Sequence, residues 1–239
     1  MYGGTGQTRD IAFGTRISGG GGRVYAIRYS SALMGNWNIQ GLVEAITSIK
    51  FSPNYDQDFT IAVVSCSLAT TFFHLGLHDP VANTTNWDGV GGYVGYPINL
   101  GVTDANRVIN TGLQLPTDFL ATDLTRRGCF ASIFATNATS VRYINSNLTG
   151  GGNAITPPIT GPGSGIYSIA YKGGVSTGIL LASENATAPG RGMVNVWQCS
   201  NAQTGTAGGS TWLKSDKFKS RSEERRVGKE CRSRWSPYH

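Results

Sequence analysis

Apolar and polar residues alternate with a period of two along several short runs of this 239-residue chain. The segments 46–55 and 166–175 both open with the pattern Ile-x-Ser-Ile-x-aromatic. Such alternation is typical of β-strands with one buried face, and the Gly, Pro, Asn and Asp residues between the runs indicate turns. No apolar run approaches the roughly 18 residues that a membrane-spanning helix needs. We therefore predict an all-β chain of short strands, with no membrane span.

A longer repeat organises these strands. The two alternating segments begin 120 residues apart, which indicates two units of about 60 residues. Each continues through a turn, two more apolar runs and a polar loop that ends at a tryptophan, Trp87 or Trp212. Residues 23–39 resemble the end of such a unit, so we interpret Trp37, Trp87 and Trp212 as equivalent positions. The repeat divides the chain into one partial unit, 1–42, and three fuller units, 43–103, 104–160 and 161–220.

Tandem four-stranded antiparallel units favour a β-propeller, because one sheet cannot bury both of its faces and its neighbours must stack on it. We predict an incomplete β-propeller of about 3.5 four-stranded antiparallel blades, fewer than many closed propellers have. Such an arc leaves an exposed apolar edge. A β-sandwich or a β-helix is the alternative architecture.

Composition changes this picture at the C-terminus. Residues 221–239 hold six basic and three acidic residues, and they resemble the translation of a common sequencing adapter. We expect a non-native, disordered or helical tail on a truncated reading frame; the alternative is a natural basic tail that binds nucleic acid. Without these residues the net charge falls from +6 to +3, because 14 basic and 11 acidic residues remain. A body so near neutrality indicates no nucleic-acid groove.

The loop before the last tryptophan resembles a known family motif. Residues 199–212, C-S-N-A-Q-T-G-T-A-G-G-S-T-W, are similar to the Asp-box S-x-D-x-G-x-T-W of bacterial neuraminidase repeats, although this loop is longer and lacks the Asp. In the box a polar side chain accepts backbone N–H groups, Gly allows positive φ and Trp packs between sheets. The residues that fill its places are Ser200, Asn201, Gly208, Gly209, Thr211 and Trp212.

A second segment carries a related resemblance. Residues 46–64 look like the opening of blades in exported bacterial proteins of the sialidase-like, or photosystem-assembly-factor-like, propeller superfamily. The resemblance implies that S-P-N-Y-x-x-D at 52–58 forms the turn between the first two strands. It also implies an exported or cell-surface protein that serves as a non-catalytic binding or scaffold module, with a glycan or protein partner at the propeller loops.

The alternative function is a fragment of an Asp-box carbohydrate-active enzyme, sialidase-like or another glycoside hydrolase, with most of its catalytic residues missing. The only glutamates before the tail are Glu44 and Glu184, and the arginines are dispersed along the chain. We therefore expect no catalytic residue here. Several aspartates lie in predicted turns, where hairpin capping is favoured over catalysis: Asp56, Asp58, Asp118 and Asp123.

Two patterns suggest metal ligands, and neither is specific. His74 and His78 form H-x-x-x-H, but on a strand they lie about 13 Å apart, too far to chelate one ion. Asn54, Asp56 and Asp58 alternate as in a calcium loop, yet no glycine follows where that loop requires one, so an Asx-turn is favoured. We expect no metal and no cofactor.

Cysteine usage indicates buried free thiols. Outside the tail the chain has Cys66, Cys129 and Cys199, each within an apolar run. An odd number at wide spacing is no disulfide framework and no metal knuckle. A free cysteine in such a run behaves as a small buried apolar residue.

Overall fold

The predicted all-β architecture is confirmed by the structure, a computed structural model. Its described residues form four antiparallel sheets and one single-turn α-helix, α1 (Tyr55–Asp58). Gly208 and the tail 221–239 lie outside these residues. The structure describes residues 2–3, 8–17, 20–30, 33–34, 37–68, 70–101, 108–135, 138–145, 152–159, 165–186, 193–204 and 209–215.

The first sheet lies within residues 2–39 and has the strand order β1-β2-β3-β4, with β5 also paired to β3. Its first strand has only two residues, which is too short to give an alternating hydrophobic pattern in the sequence. The strands are β1 (Tyr2–Gly3), β2 (Thr8–Gly14), β3 (Val24–Ser30), β4 (Leu33–Met34) and β5 (Asn38–Ile39).

The second sheet lies within residues 45–99 and has the order β6-β7-β8-β10, with β9 also paired to β8. Helix α1 occupies the turn between its first two strands, and a short 3-10 turn, Asp88–Gly91, follows β9. The strands are β6 (Ala45–Phe51), β7 (Thr60–Cys66), β8 (Thr71–Asp79), β9 (Thr84–Trp87) and β10 (Ile98–Asn99).

The third and fourth sheets each have four strands in chain order, so both are simple meanders. The third contains β11 (Val108–Gln114), β12 (Cys129–Ala135), β13 (Ala138–Ile144) and β14 (Asn153–Ala154). The fourth contains β15 (Gly165–Gly174), β16 (Thr177–Ala186), β17 (Met193–Cys199) and β18 (Trp212–Ser215).

The sheets stack face to face. One hydrophobic cluster lies between the first and second sheets, another between the second and third, and a third between the third and fourth. A sandwich would instead enclose one core between two sheets. This stacking agrees with the predicted incomplete propeller, except that residues 1–42, predicted as a partial unit, contribute a whole sheet, so that four sheets stand where about 3.5 blades were predicted. The described residues do not close them into a ring.

A β-bulge recurs at the start of the first strand in each of the last three sheets. The pairing register shifts across Thr47 in β6, across Ile109 in β11 and across Tyr167 in β15. Thr47 and Tyr167 stand at the same place in the two alternating segments from which the repeat was predicted. These strands also pack beside one another, and we call β6, β11 and β15 the inner strands.

The cysteines are buried as predicted: Cys66, Cys129 and Cys199 are all free and enclosed in the cores. Burial raises the pKa of each thiol, which keeps it protonated and unreactive. No helix among the described residues is long and apolar enough to cross a membrane.

Candidate functional site

The S-P-N-Y-x-x-D segment forms the turn between β6 and β7, as expected. Asp58 at its end is buried, and its carboxylate accepts hydrogen bonds from Ser52 Oγ at 2.9 Å and from Thr60 N at 3.1 Å. A third bond comes from Ala121 N, at 2.9 Å, in the β11–β12 loop of the next sheet. Burial raises the pKa of Asp58 against these bonds. The carboxylate therefore both closes its own turn and ties two sheets together.

The equivalent turn of the third sheet repeats this link. Asp118 Oδ1 accepts a hydrogen bond of 2.6 Å from Val175 N, which lies in the β15–β16 turn of the fourth sheet. Asp123 is occupied locally, because its Oδ1 accepts from the backbone and the hydroxyl of Thr125. Asp56 is exposed on α1. The three bonded carboxylates thus serve turns, as the sequence indicated.

Neither predicted metal pattern assembles a ligand set. Asn54 points its amide N–H at the carbonyl oxygen of Phe119, 2.7 Å away, so it acts as a donor. His78 bonds Thr85 through Nδ1, and His74 faces a different set of partners. Within the described ranges, no group of three His, Cys, Asp or Glu side chains is placed to hold a metal ion.

Two tryptophans, one in the second sheet and one in the fourth, each link their own sheet to the one before it. The indole N–H of Trp87 donates to the carbonyl of Gln40, the residue after β5. The indole N–H of Trp212 donates at 2.8 Å to the carbonyl of Ile155, the residue after β14. Both indoles therefore bond the chain where it leaves the outermost strand of the preceding sheet. Trp37, which precedes β5, is 43% exposed and lies edge-on to Phe13.

The Asp-box-like loop is organised by Asn201. Its Oδ1 accepts a hydrogen bond from Thr211 N at 2.8 Å, and its Nδ2 donates to the carbonyl of Gly209 at 2.9 Å. Ser200 is exposed, and Trp212 opens β18 directly after this turn. This geometry suits the turn role that the resemblance implies for the short polar side chain. Membership of the Asp-box family stays a prediction.

A buried charged cluster, which we call the His74 cluster, lies on the face of the second sheet that is turned toward the first. His74 Nδ1 is 2.8 Å from Asp88 Oδ2, and His74 Nε2 is 2.9 Å from Ser65 Oγ and 3.2 Å from Glu44 Oε2. The hydroxyl of Ser65 donates to Glu44. The cluster joins β7, β8, the 3-10 turn and the segment that links the first two sheets.

The hydrogen-bond pattern sets the charge of His74. Both ring nitrogens face acceptors: Nδ1 faces Asp88, and Nε2 faces Glu44 and a Ser65 oxygen whose proton is directed elsewhere. Two carboxylates, one at each ring nitrogen, favour the imidazolium form, in which both nitrogens donate. Burial lowers the pKa of His74, but the bonds to Asp88 and Glu44 outweigh burial and hold it above its usual value. The bond to His74 likewise holds the pKa of Glu44 low, against its burial.

The chain Ser65–His74–Asp88 has the connectivity of a serine-hydrolase triad, but it does not have the protonation. A general base needs a free Nε2 to take the serine proton, whereas here Nε2 donates and the serine proton goes to Glu44. Ser65 also has no exposed surface, so no carbonyl can reach its oxygen in this arrangement. The His74 cluster is thus an ion-pair network between sheets.

An accessible polar surface follows the inner strands, and we call it the inner edge: Thr47, Lys50, Asn110, Gln114 and Tyr167. Lys50 Nζ donates to Gln114 Oε1 at 3.0 Å, and Gln114 Nε2 donates to the carbonyl of Ile169 at 2.8 Å. Asn110 Nδ2 donates at 2.7 Å to the carbonyl of Tyr167. These bonds cross from one sheet to the next.

Tyr167 is the most open member of the inner edge. It is the bulge residue of β15, its side chain is 46% exposed, and its ring lies 5.8 Å from that of Phe134. Bulges re-aim side chains and are over-represented beside functional sites. The other members are half-buried, and burial lowers the pKa of Lys50. The inner edge therefore presents an exposed aromatic ring next to the amide of Asn110, with the amide of Gln114 and the ammonium group of Lys50 further along the same strands.

Sequence reasoning found neither the inner edge nor the His74 cluster. The sequence pattern pairs His74 with His78 on one strand face, while the partners of His74 in the structure, Glu44 and Asp88, lie 30 and 14 residues away. The equivalence of positions 47 and 167 in the two alternating segments is the one signal that could have indicated Tyr167.

Comparison of the chain with models of protein families found no match, and comparison with curated proteins found none either.

Proposed function

We propose that this chain is a non-catalytic binding module that holds a glycan along its inner edge. One observation carries the proposal: Tyr167, at a bulge, is 46% exposed, and the half-buried amide of Asn110 lies beside it, with Gln114 and Lys50 further along the inner strands. A sugar ring offers C–H groups on its faces and hydroxyls at its rim. An exposed aromatic ring suits the first, and fixed polar side chains suit the second.

The polar groups are pre-organised for such a ligand. Asn110 and Gln114 are each anchored by one hydrogen bond to the backbone of the next sheet. Anchoring reduces the entropy that a side chain loses when a ligand binds. A site outside the cell belongs to the same proposal and is supported by the resemblance of residues 46–64 to blades of exported bacterial proteins. The carbohydrate-active enzyme stays a prediction that no contact of the described residues favours.

A glycan array probed with the whole 239-residue protein tests this function, followed by titration calorimetry on the best glycan. We expect binding without change to the glycan. Tyr167→Ala should weaken it about 5- to 30-fold, since an aromatic contact is worth about 1–2 kcal/mol. Tyr167→Phe, which keeps the ring, should retain most of the affinity.

The control is Val81→Ala, an exposed apolar residue at the β8–β9 turn, away from the inner edge. It should bind as the parent does. A best glycan whose affinity is indifferent to Tyr167→Ala, or a glycan that is hydrolysed during the assay, would contradict the proposal. Thermal unfolding of each variant separates a lost contact from a lost fold.

A further inference from the structure

Alternate residues of β7, the second strand of the second sheet, face the two sheets on either side of it. In β7, Ile61 and Val63 belong to the cluster shared with the first sheet, while Ala62 and Val64 belong to the cluster shared with the third. All four are fully buried. Each interface between sheets therefore has two different halves. One sheet contributes the face that is turned toward the following sheet, and the following sheet contributes the face that is turned toward the preceding one. The arrangement occurs three times along the described chain.

The first sheet leaves much of the second kind of face exposed, although Ile27, two residues along β3 from Tyr25, is only 4% exposed. We call this face the N-terminal face: Phe13, Tyr25, Trp37 and Ile39. The rings of Phe13 and Tyr25 stack at 5.1 Å, Trp37 lies edge-on to Phe13 at 4.8 Å, and Ile39 pairs with Tyr25 across the strands. Phe13, Trp37 and Ile39 are between 40% and 53% exposed. These side chains form one contiguous apolar patch on the sheet.

The fourth sheet leaves the complementary kind of face uncovered. We call it the C-terminal face: Ala170, Ile179, Leu181, Gln198 and Leu213. Leu181 pairs with Ala170 on one side and Gln198 on the other, and Gln198 pairs with Leu213, so the patch crosses four strands. Its large apolar members are between 39% and 65% exposed. Their counterparts in β12 and β7, such as Phe130 and Val64, are fully buried against the following sheet.

We propose that two copies of this chain join head to tail, the N-terminal face of each packing on the C-terminal face of the other, to form a closed pair of eight sheets. The two faces are the two halves of the interface that the chain already builds between its own sheets. Eight sheets lie within the range of about four to eight blades that propellers use. A head-to-tail contact whose rotation closes makes a finite ring rather than a filament.

A second copy fits these surfaces better than an unrelated partner. Both faces are mainly apolar; Lys172, which pairs with Ile179 on the C-terminal face, is exposed, and its long side chain can keep the ammonium group in solvent when the apolar side chains pack. Closure also covers both faces at once through a single type of contact. Exposed apolar patches of this kind on a folded protein mark association surfaces.

Sedimentation equilibrium of the whole 239-residue protein tests the proposal. We expect a discrete species of twice 25.4 kDa. Ile39→Asp and Leu181→Asp should each convert it to a folded monomer, because a charge placed on either half spoils both interfaces of the ring. Val81 lies in the β8–β9 turn, is 90% exposed and belongs to neither face, so Val81→Asp should leave the pair intact. Leu213→Asp replaces Leu181→Asp if circular dichroism shows that the latter is unfolded.

The remaining outcomes overturn the proposal. A monomeric parent protein would show that other residues cover the faces or that they stay open. An open-ended series of masses would show that the contact does not close. Dissociation by Ile39→Asp alone, or by Leu181→Asp alone, would show a pair in which one face packs on its own copy.

Discussion

At the scale of single residues, Asp58 shows how one side chain supports both a turn and a sheet interface. Its carboxylate accepts hydrogen bonds from Ser52, Thr60 and Ala121, and the last of these is 63 residues away in sequence. Removing the carboxylate leaves buried donors without partners, which costs about 1–3 kcal/mol for each group that cannot find water.

We therefore expect Asp58→Ala to lower the free energy of unfolding by about 2–4 kcal/mol. Asp56→Ala is the matched control, since Asp56 is exposed on the same single-turn helix, and it should change stability little. Urea denaturation of both variants gives the measurement. Equal effects of the two substitutions would contradict the role assigned to Asp58.

The His74 cluster belongs to the same scale, and its charges make stability depend on pH. The pKa of His74 is raised above 6.5, so its contribution is complete below pH 6.5 and is lost as pH rises through the folded pKa. The pKa of Glu44 is lowered below 4.5, so its contribution is complete above pH 4.5 and is lost as pH falls through the folded pKa. The network therefore stabilises most between these two limits.

His74→Gln should destabilise the protein by about 2 kcal/mol within that window, because it leaves two half-buried carboxylates without their cation. The difference from the parent protein should shrink toward alkaline pH. His78→Gln is the contrasting variant, since burial lowers the pKa of His78. A buried neutral histidine costs stability at acid pH, so the stability of this variant relative to the parent protein should rise as the pH falls. Thermal unfolding across pH measures both, and parallel profiles would refute the charge assigned to His74.

At the scale of strands and turns, the tryptophan links decide how one sheet meets the next. Trp87 and Trp212 occupy outermost strands, and both donate to the carbonyl that follows the outermost strand of the preceding sheet. The third sheet has no tryptophan, and its outermost strand, β14, is two residues long. A two-residue edge strand forms few backbone hydrogen bonds with its neighbour, so the stacking of that sheet depends more on its apolar core.

Trp212→Phe should lower the free energy of unfolding by about 1–2 kcal/mol, because the ring stays while the carbonyl of Ile155 loses its donor. Trp87→Phe should act alike through Gln40. Hydrogen exchange should show faster exchange near each substituted strand. A change confined to the substituted sheet, with none in the preceding one, would argue against a link between sheets.

At the scale of the whole molecule, close approach between sheets depends on small residues. An added Cβ at Gly14, at the end of β2, would stand 2.4 Å from the Cβ of Ile46 on the next sheet. Gly14→Ala must then push two sheets apart and should cost about 1–3 kcal/mol. Gly89→Ala, where nothing lies within 4 Å, is the neutral control. Equal melting temperatures for the two variants would contradict this packing.

Much of the fold could be predicted from sequence because its signals are local. The alternation at 46–55 and 166–175 indicated strands, and the resemblance of residues 46–64 to propeller blades implied the turn at 52–58, where α1 lies. The candidate site could not be predicted in the same way. Tyr167 becomes prominent through a register shift, and a shift is a property of two paired strands rather than of one segment.

The chain by itself determined an all-β, repeating architecture, because strand periodicity is written in neighbouring residues and recurs in each unit. Tertiary structure alone decided which face each strand buries, which carbonyl each indole reaches and which carboxylates surround His74. These contacts join residues that are not neighbours in sequence: the indole bonds need two sheets to stack, and the His74 contacts need β8, the 3-10 turn and the segment before β6 to come together. Their energies depend on burial, which no local pattern encodes.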